Sequence, residues 1–309
     1  FSTIEADVEM IYKPKYFQDF TNKVVIDADI KRSKIAANDL NLFYPEFGTN
    51  QFFYLKAHAK GLLNDFTISN LSLYHTSDSE IIGKTRFENL FDKDKTFKMA
   101  GNFAKVKTSY QKTKFILPQV LADKLPILLD NLGEVLLVGD VDVTTQDLFA
   151  DVSLLSGIGK AEAVLNLNGF NDKDNVLYNG DIVLDDFNIG HLLSQKSLKK
   201  ATLSLSVDGK GFTKKGLDTS VIGFVDKFYF SGYTYTNIEI DGNFKLPYFK
   251  GYLNSNDPNL KMDFSGLINL QDQHKEFDFT AHVDYAKLHL FNISRKNETA
   301  IFRGKKKKK

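Results

Sequence analysis

Apolar and polar residues alternate one by one through segment after segment of this chain, and nothing else in it constrains the fold as strongly. Over 24–30, Val24, Ile26, Ala28 and Ile30 fall on one side, with Asp27 and Asp29 on the other. Over 52–60, Phe53, Leu55, Ala57 and Ala59 oppose Phe52, Tyr54, Lys56, His58 and Lys60. Over 161–167, Ala161, Ala163, Leu165 and Leu167 oppose Glu162, Val164 and Asn166; over 201–207, Ala201, Leu203, Leu205 and Val207 oppose Thr202, Ser204 and Ser206. Over 277–283, Phe277, Phe279, Ala281 and Val283 oppose Asp278, Thr280 and His282. A period of two puts one apolar and one wet face on a β-strand. Strands of a parallel sheet buried under helices would be apolar on both faces, so a doubly wound fold is disfavoured.

Residue choice agrees. Aspartate outnumbers glutamate 29 to 10, and 23 Asn and 20 Gly add turn formers. The short Asp and Asn side chains bond nearby backbone and favour turns over helix interiors. The 27 Phe and 13 Tyr suit a pleated surface. Asp208-Gly209, Asp241-Gly242 and Asn179-Gly180 are predicted as hairpin or bulge dipeptides, and 254–259 as a turn before a strand at Leu260, Met262 and Phe264. The turn spacing predicts about twenty strands. Three phrases share a shape: 64–73, 178–190 and 234–245 each read as strand, Asn or Asp turn, strand. No fixed period emerges, which disfavours a strict β-helix or propeller.

One stretch breaks the rhythm. In Pro118–Leu132, Val120, Leu121, Leu125, Ile127, Leu128 and Leu132 form a helical stripe, with Pro118 suited to the start, Gly133 to the end, and Pro126 predicting a kink. A second, shorter helix is predicted over Ile189–Ser194. The expected organisation is therefore an N-terminal β segment (1–116), a helical insertion (117–133), a C-terminal β segment (134–303) and a lysine-rich flexible tail (304–309).

Several function classes drop out. Lys and Arg number 40 against 39 Asp and Glu, and omitting Lys305–Lys309 leaves 35 against 39, a net −4. A nucleic-acid protein would carry a basic stripe, so no nucleic-acid partner is expected. With no cysteine there is no disulfide scaffold, thiolate metal site or cysteine nucleophile. No run of 18 apolar residues offers a membrane-spanning helix. The chain starts at Phe1 and is expected to be a segment of a longer protein. The histidines His58, His75, His191, His274, His282 and His289 show no HExxH or paired ligand spacing and are expected on solvent-facing strand positions. GxSxG, Walker and GxGxxG motifs are missing. Asp140 with Asp142, Asp172 with Asp174, and Asp185-Asp186 are the carboxylate pairs that offer cation or acid–base chemistry; so much aspartate makes solvated chance pairs the simpler reading. No catalytic residue, metal or cofactor is expected.

A sheet with one continuous apolar face cannot leave it in water; it folds on itself, packs a second sheet, closes, or holds an apolar ligand. Here that face is a steady supply of Phe, Leu, Ile and Val with no convergent polar cluster, which suits a long apolar trough. Its predicted lining is Ile26, Ala28, Ile30, Leu165, Leu167, Leu203, Leu205, Val207, Ile238, Ile240, Phe264, Phe277, Phe279 and Val283. The fold class is mainly all-β, an elongated, curved open sheet with a short helical insertion.

Three stretches carry a family resemblance: the strand–turn–strand of 63–92, the Leu-Pro helix leading into a Gly-Asp strand over 117–143, and 228–270, where a Tyr-x-Tyr-x-Asn-Ile strand precedes Asp-Gly, Phe-x-Gly-x-Leu, Asp-x-Asn-Leu and Phe-x-Gly. Together they resemble the β-rich periplasmic part of the TamB (translocation and assembly module) family within the AsmA-like superfamily. The Lys- and Asn-rich, Arg-poor usage (4 Arg) is similar to its Bacteroidota branch. The resemblance implies a taco-shaped sheet in the periplasm, an inner-membrane anchor outside this segment, and an outer-membrane barrel partner. It implies conduction of phospholipid acyl chains between the membranes in support of outer-membrane biogenesis. The alternatives are a scaffold that assists outer-membrane barrel proteins by β-augmentation, and a secreted β-solenoid or sandwich that binds glycans through solvent-facing aromatics, for which Tyr233 and Tyr235 share a face.

Overall fold

The computed structural model of the protein describes residues 1–308 apart from 43–44, 93, 119–126, 214, 246, 271–274 and 295–298, and leaves the side chains of 302–308 aside. The alternating segments are strands. Among the described residues seventeen occur, in two units, Phe1–Gly157 and Ile158–Lys309. The first unit holds β1 (Ala6–Ile11), β2 (Val25–Ala36), β3 (Phe52–Leu62), β4 (Asp65–His75), β5 (Ser79–Glu88), β6 (Lys98–Ser109), β7 (Glu134–Thr144) and β8 (Asp147–Ser156). The second holds β9 (Gly159–Asn168), β10 (Leu177–Asn188), β11 (Leu198–Lys210), β12 (Asp218–Phe230), β13 (Tyr233–Lys245), β14 (Tyr248–Asp257), β15 (Leu260–Asn269), β16 (Glu276–Lys287) and β17 (Thr299–Lys308). Within each unit every strand pairs antiparallel with its neighbour in sequence. Neither meander closes on itself among the described residues, so the protein is all-β with open antiparallel sheet and few short helices.

The strands run 10 to 13 residues except β1, and several of them shift the ladder. In β4 the apolar side continues from Ile68 to Leu71, in β10 from Leu184 to Phe187, and the ladder shifts at each of these points. In β13 the same three-residue step takes Tyr235 to Ile238. The residue that absorbs each step is left-handed: Asn70 at φ 50°, Asp186 at φ 47° and Asn237 at φ 52°. Asn and Asp reach that region at the lowest cost after glycine. The phrases over 64–73 and 178–190 are thus each carried by one bulged strand, in which the Asn or Asp inserts an extra residue and returns the alternation to the same face; in 234–245 the step is matched by Val225 to Phe228 of β12, and the ladder keeps its register.

The three Xaa-Gly dipeptides also lie inside strands, not at turns. Asn179-Gly180 is in β10, Asp208-Gly209 in β11 and Asp241-Gly242 in β13. Gly180 adopts φ 146°, and a Cβ there would stand 1.9 Å from the Val164 carbonyl oxygen. Gly242 instead makes room for the Phe249 ring of the next strand, which an added Cβ would meet at 2.6 Å. Mid-strand glycines of this kind bend a sheet and let aromatic rings lie over the backbone.

Helical turns fill a few connections. The segment Pro14–Asp19 is a 3₁₀ turn leading into α1 (Phe20–Lys23), and α2 (Ala37–Leu40) follows β2. After β6 the chain enters α3 (Tyr110–Ile116), whose N-cap Ser109 accepts from the Lys112 amide at 3.2 Å. The predicted helix over 117–133 therefore has a helix before it; 119–126 lie outside the described residues, and Ile127–Leu132 form a 3₁₀ turn. The second predicted helix is present as α4 (Ile189–Leu192), capped by Asn188 Oδ1 accepting from the His191 amide. The lysine run expected to trail beyond the last strand instead continues β17 through Lys308, because ladder bonds with β16 involve only backbone groups. No described helix is long and apolar enough to cross a membrane.

Replacing Gly180 by Ala is expected to cost about 2–4 kcal/mol, from strain and collision with β9. Gly157→Ala, where the nearest atom would be 3.7 Å away, should stay within about 0.5 kcal/mol of the parent. Urea unfolding followed by circular dichroism measures both.

Candidate functional site

Residues directly opposite one another in an antiparallel ladder point to the same side of the sheet. In the second unit Leu165 and Leu167 of β9 face Gly180 and Tyr178, and Gly180 faces Val207. Leu203 and Leu205 of β11 face Val225 and Gly223, which face Ile238 and Ile240 of β13. Ile240 then meets Leu253, Leu253 meets Phe264, and Gly266 meets Phe279. Phe277 is opposite Ile268, and Val283 opposite Met262. All eleven predicted lining residues of this unit thus share one face. The other three, Ile26, Ala28 and Ile30, share a face of the first unit with Met10, Val8 and Ala6 of β1 and Gly61, Ala59 and Ala57 of β3.

Other apolar residues share these faces without having been predicted as lining. In the second unit Val221, Val225, Phe244, Phe249, Leu253 and Ile268 belong to the same face, and in the first so do Phe53, Leu55, Phe66, Phe87, Phe103, Leu137 and Val141. The signal for them is present, but it is the alternation carried through each three-residue step.

These faces lack a lid of side chains along most of their length. On β9, residues alternate between half-buried and exposed without one fully buried position. Of the fourteen predicted residues only Ala28 and Phe264 are buried, each at 7% exposure; the rest are half-buried by lateral neighbours. The accessible surface is 18942 Å². Even two separate compact bodies sharing 35.0 kDa would expose only roughly 16,000 Å². A second packed layer would have driven these residues to full burial.

At one end of each unit the apolar face is capped. In the first unit α3 and the loop before β3 close over Phe53 and His75, both opposite each other on that face. Gln51 Nε2 donates to the Phe115 carbonyl at 2.6 Å and the Gly48 amide to that of Ile116 at 3.0 Å. The His75 ring lies 4.8 Å from that of Phe53 and 6.2 Å from that of Phe115. Lys112 of α3 straps the cap to Glu134 at 2.7 Å and Asp78 at 3.5 Å, and Lys107 joins Asp78 at 2.7 Å. These contacts hold both carboxyls below their ordinary range and raise both lysines.

In the second unit the cap is a polar knot. Asp257, 1% exposed, accepts from Tyr233 Oη at 2.5 Å, from the amide and hydroxyl of Thr236 at 2.9 Å each, and from the Asn259 amide at 2.7 Å. Four donors replace the water a buried carboxylate loses. Burial, and then the Asp257 carboxylate, push the Tyr233 hydroxyl up to about 12. Phe291 packs on Tyr233 and Tyr235 with ring centroids at 4.8 and 5.5 Å. The two tyrosines considered as a glycan platform pack edge to face at 4.9 Å within this knot and are half-buried.

His75 is 2% exposed, against the expectation of a solvent-facing histidine. Its Nδ1 contacts Ser77 Oγ at 2.7 Å and accepts the Ser77 amide at 3.0 Å, a local turn, while Nε2 meets no carboxylate that would orient a base. His58 pairs with Asp27 and His282 with Asp284, each at 3.2 Å. His274 lies outside the described residues. Asp140 accepts from Asn102 at 2.7 Å, Asp172 caps its own turn at the Asp174 amide, and Asp186 is the bulge residue bonded to Lys200. Among the described residues no group of three or more His, Cys, Asp and Glu is placed to hold a metal ion.

Compared with models of protein families, with curated proteins and with solved structures, the chain matches none.

Burial holds the His75 imidazole below its ordinary 6.5. As pH falls through about 6.5 the unfolded chain takes up a proton that the folded chain refuses, so stability conferred by the cap drops. The first unit's urea midpoint should therefore be lower at about pH 5.5 than at about pH 7.5. His75→Gln should flatten that slope; an unchanged slope would remove His75 as its cause.

Proposed function

We propose that the apolar sheet faces hold hydrocarbon chains and that this protein conducts phospholipid along them. The observation that carries the reading is an in-register apolar face that stays half-exposed from β9 to β16, with eleven predicted lining residues on it. Such a face gains most from a flexible apolar ligand. Burying one acyl chain of about fourteen CH₂ groups, at about 0.8 kcal/mol each, contributes roughly 11 kcal/mol before ordering costs. The other face of the same strands carries most of their charged and hydroxylated side chains, among which Val164, Val183, Ile222 and Phe224 stand exposed. No reacting group is needed for such a role. The resemblance to the TamB family supports the same reading and adds its setting: the periplasm, an inner-membrane anchor outside this segment, and an outer-membrane barrel as partner.

A second reading has one observation in its favour. Among the described residues of its unit β1 pairs with β2 alone, and its Val8, Met10 and Ile11 are 54, 47 and 54% exposed. An edge of that kind is a template for an incoming strand, as a scaffold for barrel polypeptides would require.

Native mass spectrometry of the purified protein is expected to find bound phospholipid. Leu205→Arg and Phe279→Asp each place a charge on the apolar face and should abolish that signal. Ser204→Arg, on the wet face of the same strand, should leave it unchanged. Protein free of lipid, or variants that keep it, would overturn the reading; crosslinks from β1 to unfolded barrel strands would favour the scaffold.

A further inference from the structure

The wet face of the first unit carries a feature that the lipid reading leaves unused. Tyr54 of β3 and Tyr74 of β4 stand directly opposite each other on that face. Their ring centroids are 6.2 Å apart with planes inclined at 38°, and they remain 39% and 41% exposed. They floor a depression of about 350 Å³ whose rim includes Arg32, Lys56 and Ser72. Cross-strand aromatic pairing accounts for two tyrosines on a sheet. It does not account for the charges around them.

Nearby cations are engaged. Lys31 reaches Asp7 at 3.0 Å, Lys60 reaches Asp27 at 2.6 Å, Lys105 reaches Glu80 at 2.5 Å, and Lys34 lies 3.9 Å over the Phe52 ring. Arg32 and Lys56 have no carboxylate within ion-pair distance among the described residues, although both border the tyrosines. A comparable depression on the wet face of the second unit is different. There Lys199 covers the Tyr229 ring at 4.5 Å and Lys200 is paired with Asp186 at 2.5 Å, so ring and charge are both occupied.

Two open aromatic faces, two unpaired cations and a free-standing hydroxyl define a ligand. It must be flat and weakly apolar on one side, hydroxylated at its edge, and anionic. A pyranose ring bearing a carboxylate satisfies all three: its C–H face stacks on tyrosine, its hydroxyls bond Ser72 and the phenols, and its carboxylate accepts from the Arg32 guanidinium. We propose that the Tyr54–Tyr74 depression binds an acidic polysaccharide, through sugar stacking on the tyrosines and charge pairing with Arg32 and Lys56. The site is on the opposite face from the apolar path and stands independently of the lipid reading.

Isothermal titration calorimetry of the whole chain with hexagalacturonate, and with maltohexaose as the neutral counterpart, tests this. Hexagalacturonate is expected to bind at least about tenfold more tightly than maltohexaose. Tyr54→Ala should weaken hexagalacturonate about tenfold, while Tyr54→Phe keeps most of the affinity because the stacking face survives. Arg32→Gln combined with Lys56→Gln, both exposed and harmless to folding, should weaken it at least as much. If Tyr54→Ala fails to fold, the Arg32→Gln, Lys56→Gln variant decides alone. Equal affinity for the two sugars, no measurable binding, or binding that the Arg32→Gln, Lys56→Gln variant retains would overturn the proposal.

Discussion

The antiparallel ladder between sequence neighbours is the interaction on which everything else here depends. Each strand satisfies its backbone donors and acceptors on the strand before and the strand after, so the sheet grows by hairpin addition and needs no distant partner. That ladder fixes register, and register decides which side chains share a face. A slip of one residue between β11 and β12 would send Leu203, Leu205 and Val207 to the wet side and Ser204 and Ser206 to the apolar one. The apolar face is therefore a consequence of pairing between neighbours, not of a core assembled from remote segments. Stability of such an array is close to a sum of nearest-neighbour terms, as in repeat proteins.

Bulges and glycines explain how strands of 11 to 13 residues stay on one face while they twist. A strand that long rotates its side chains steadily out of alignment unless something resets them. Asn70, Asp186 and Asn237 do so by spending one residue in the left-handed region. The glycines act beside them: Gly180 at φ 146° brings β10 close to the Val164 carbonyl, where any Cβ would collide. These residues were legible as backbone specialists, the Asn and Asp of the three phrases as turns and the Xaa-Gly dipeptides as hairpin turns or bulges, whereas all of them lie within strands. Asn-Gly and Asp-Gly have the chemistry of a hairpin turn, and only the lengths of the flanking strands, set by cooperative pairing, separate a turn from a mid-strand glycine.

The same physics decides what else could be read in advance. Period two is a local property, so the all-β class and the common face of Leu165, Leu205, Ile240 and Phe279 were legible from the residues alone. Fold organisation at the strand ends was not. Asp257 reads as one more turn aspartate in Asn-Asp-Pro, yet it is 1% exposed and gathers donors from Tyr233, Thr236 and Asn259. His75 reads as a polar strand residue, yet α3 folds over it. Both depend on contacts between segments 20 to 40 residues apart, which no local period encodes. The pairing of Tyr54 with Tyr74 was equally hidden, because register between β3 and β4 passes through a shift at Lys56 and His58.

The capped ends give the open faces their character. A one-layer sheet can leave its apolar side half-exposed because each side chain is already shielded by neighbours on two flanking strands, which recovers part of the roughly 1.5–3 kcal/mol available for full burial. What remains uncovered is a standing gain for any hydrocarbon that lies on it. At the ends that lateral shielding runs out, and there the chain supplies closure from elsewhere. The Asp257 knot is the stiffer closure, since four hydrogen bonds converge on one buried carboxylate and their removal would leave it unsolvated. The α3 cap is the softer one. It leaves Gln51 Oε1 and His75 Nε2 buried without partners and relies on surface ion pairs through Lys112, which contribute little each and weaken with salt. Of the two closures, the first unit's is therefore the one that thermal motion, acid or salt would loosen first.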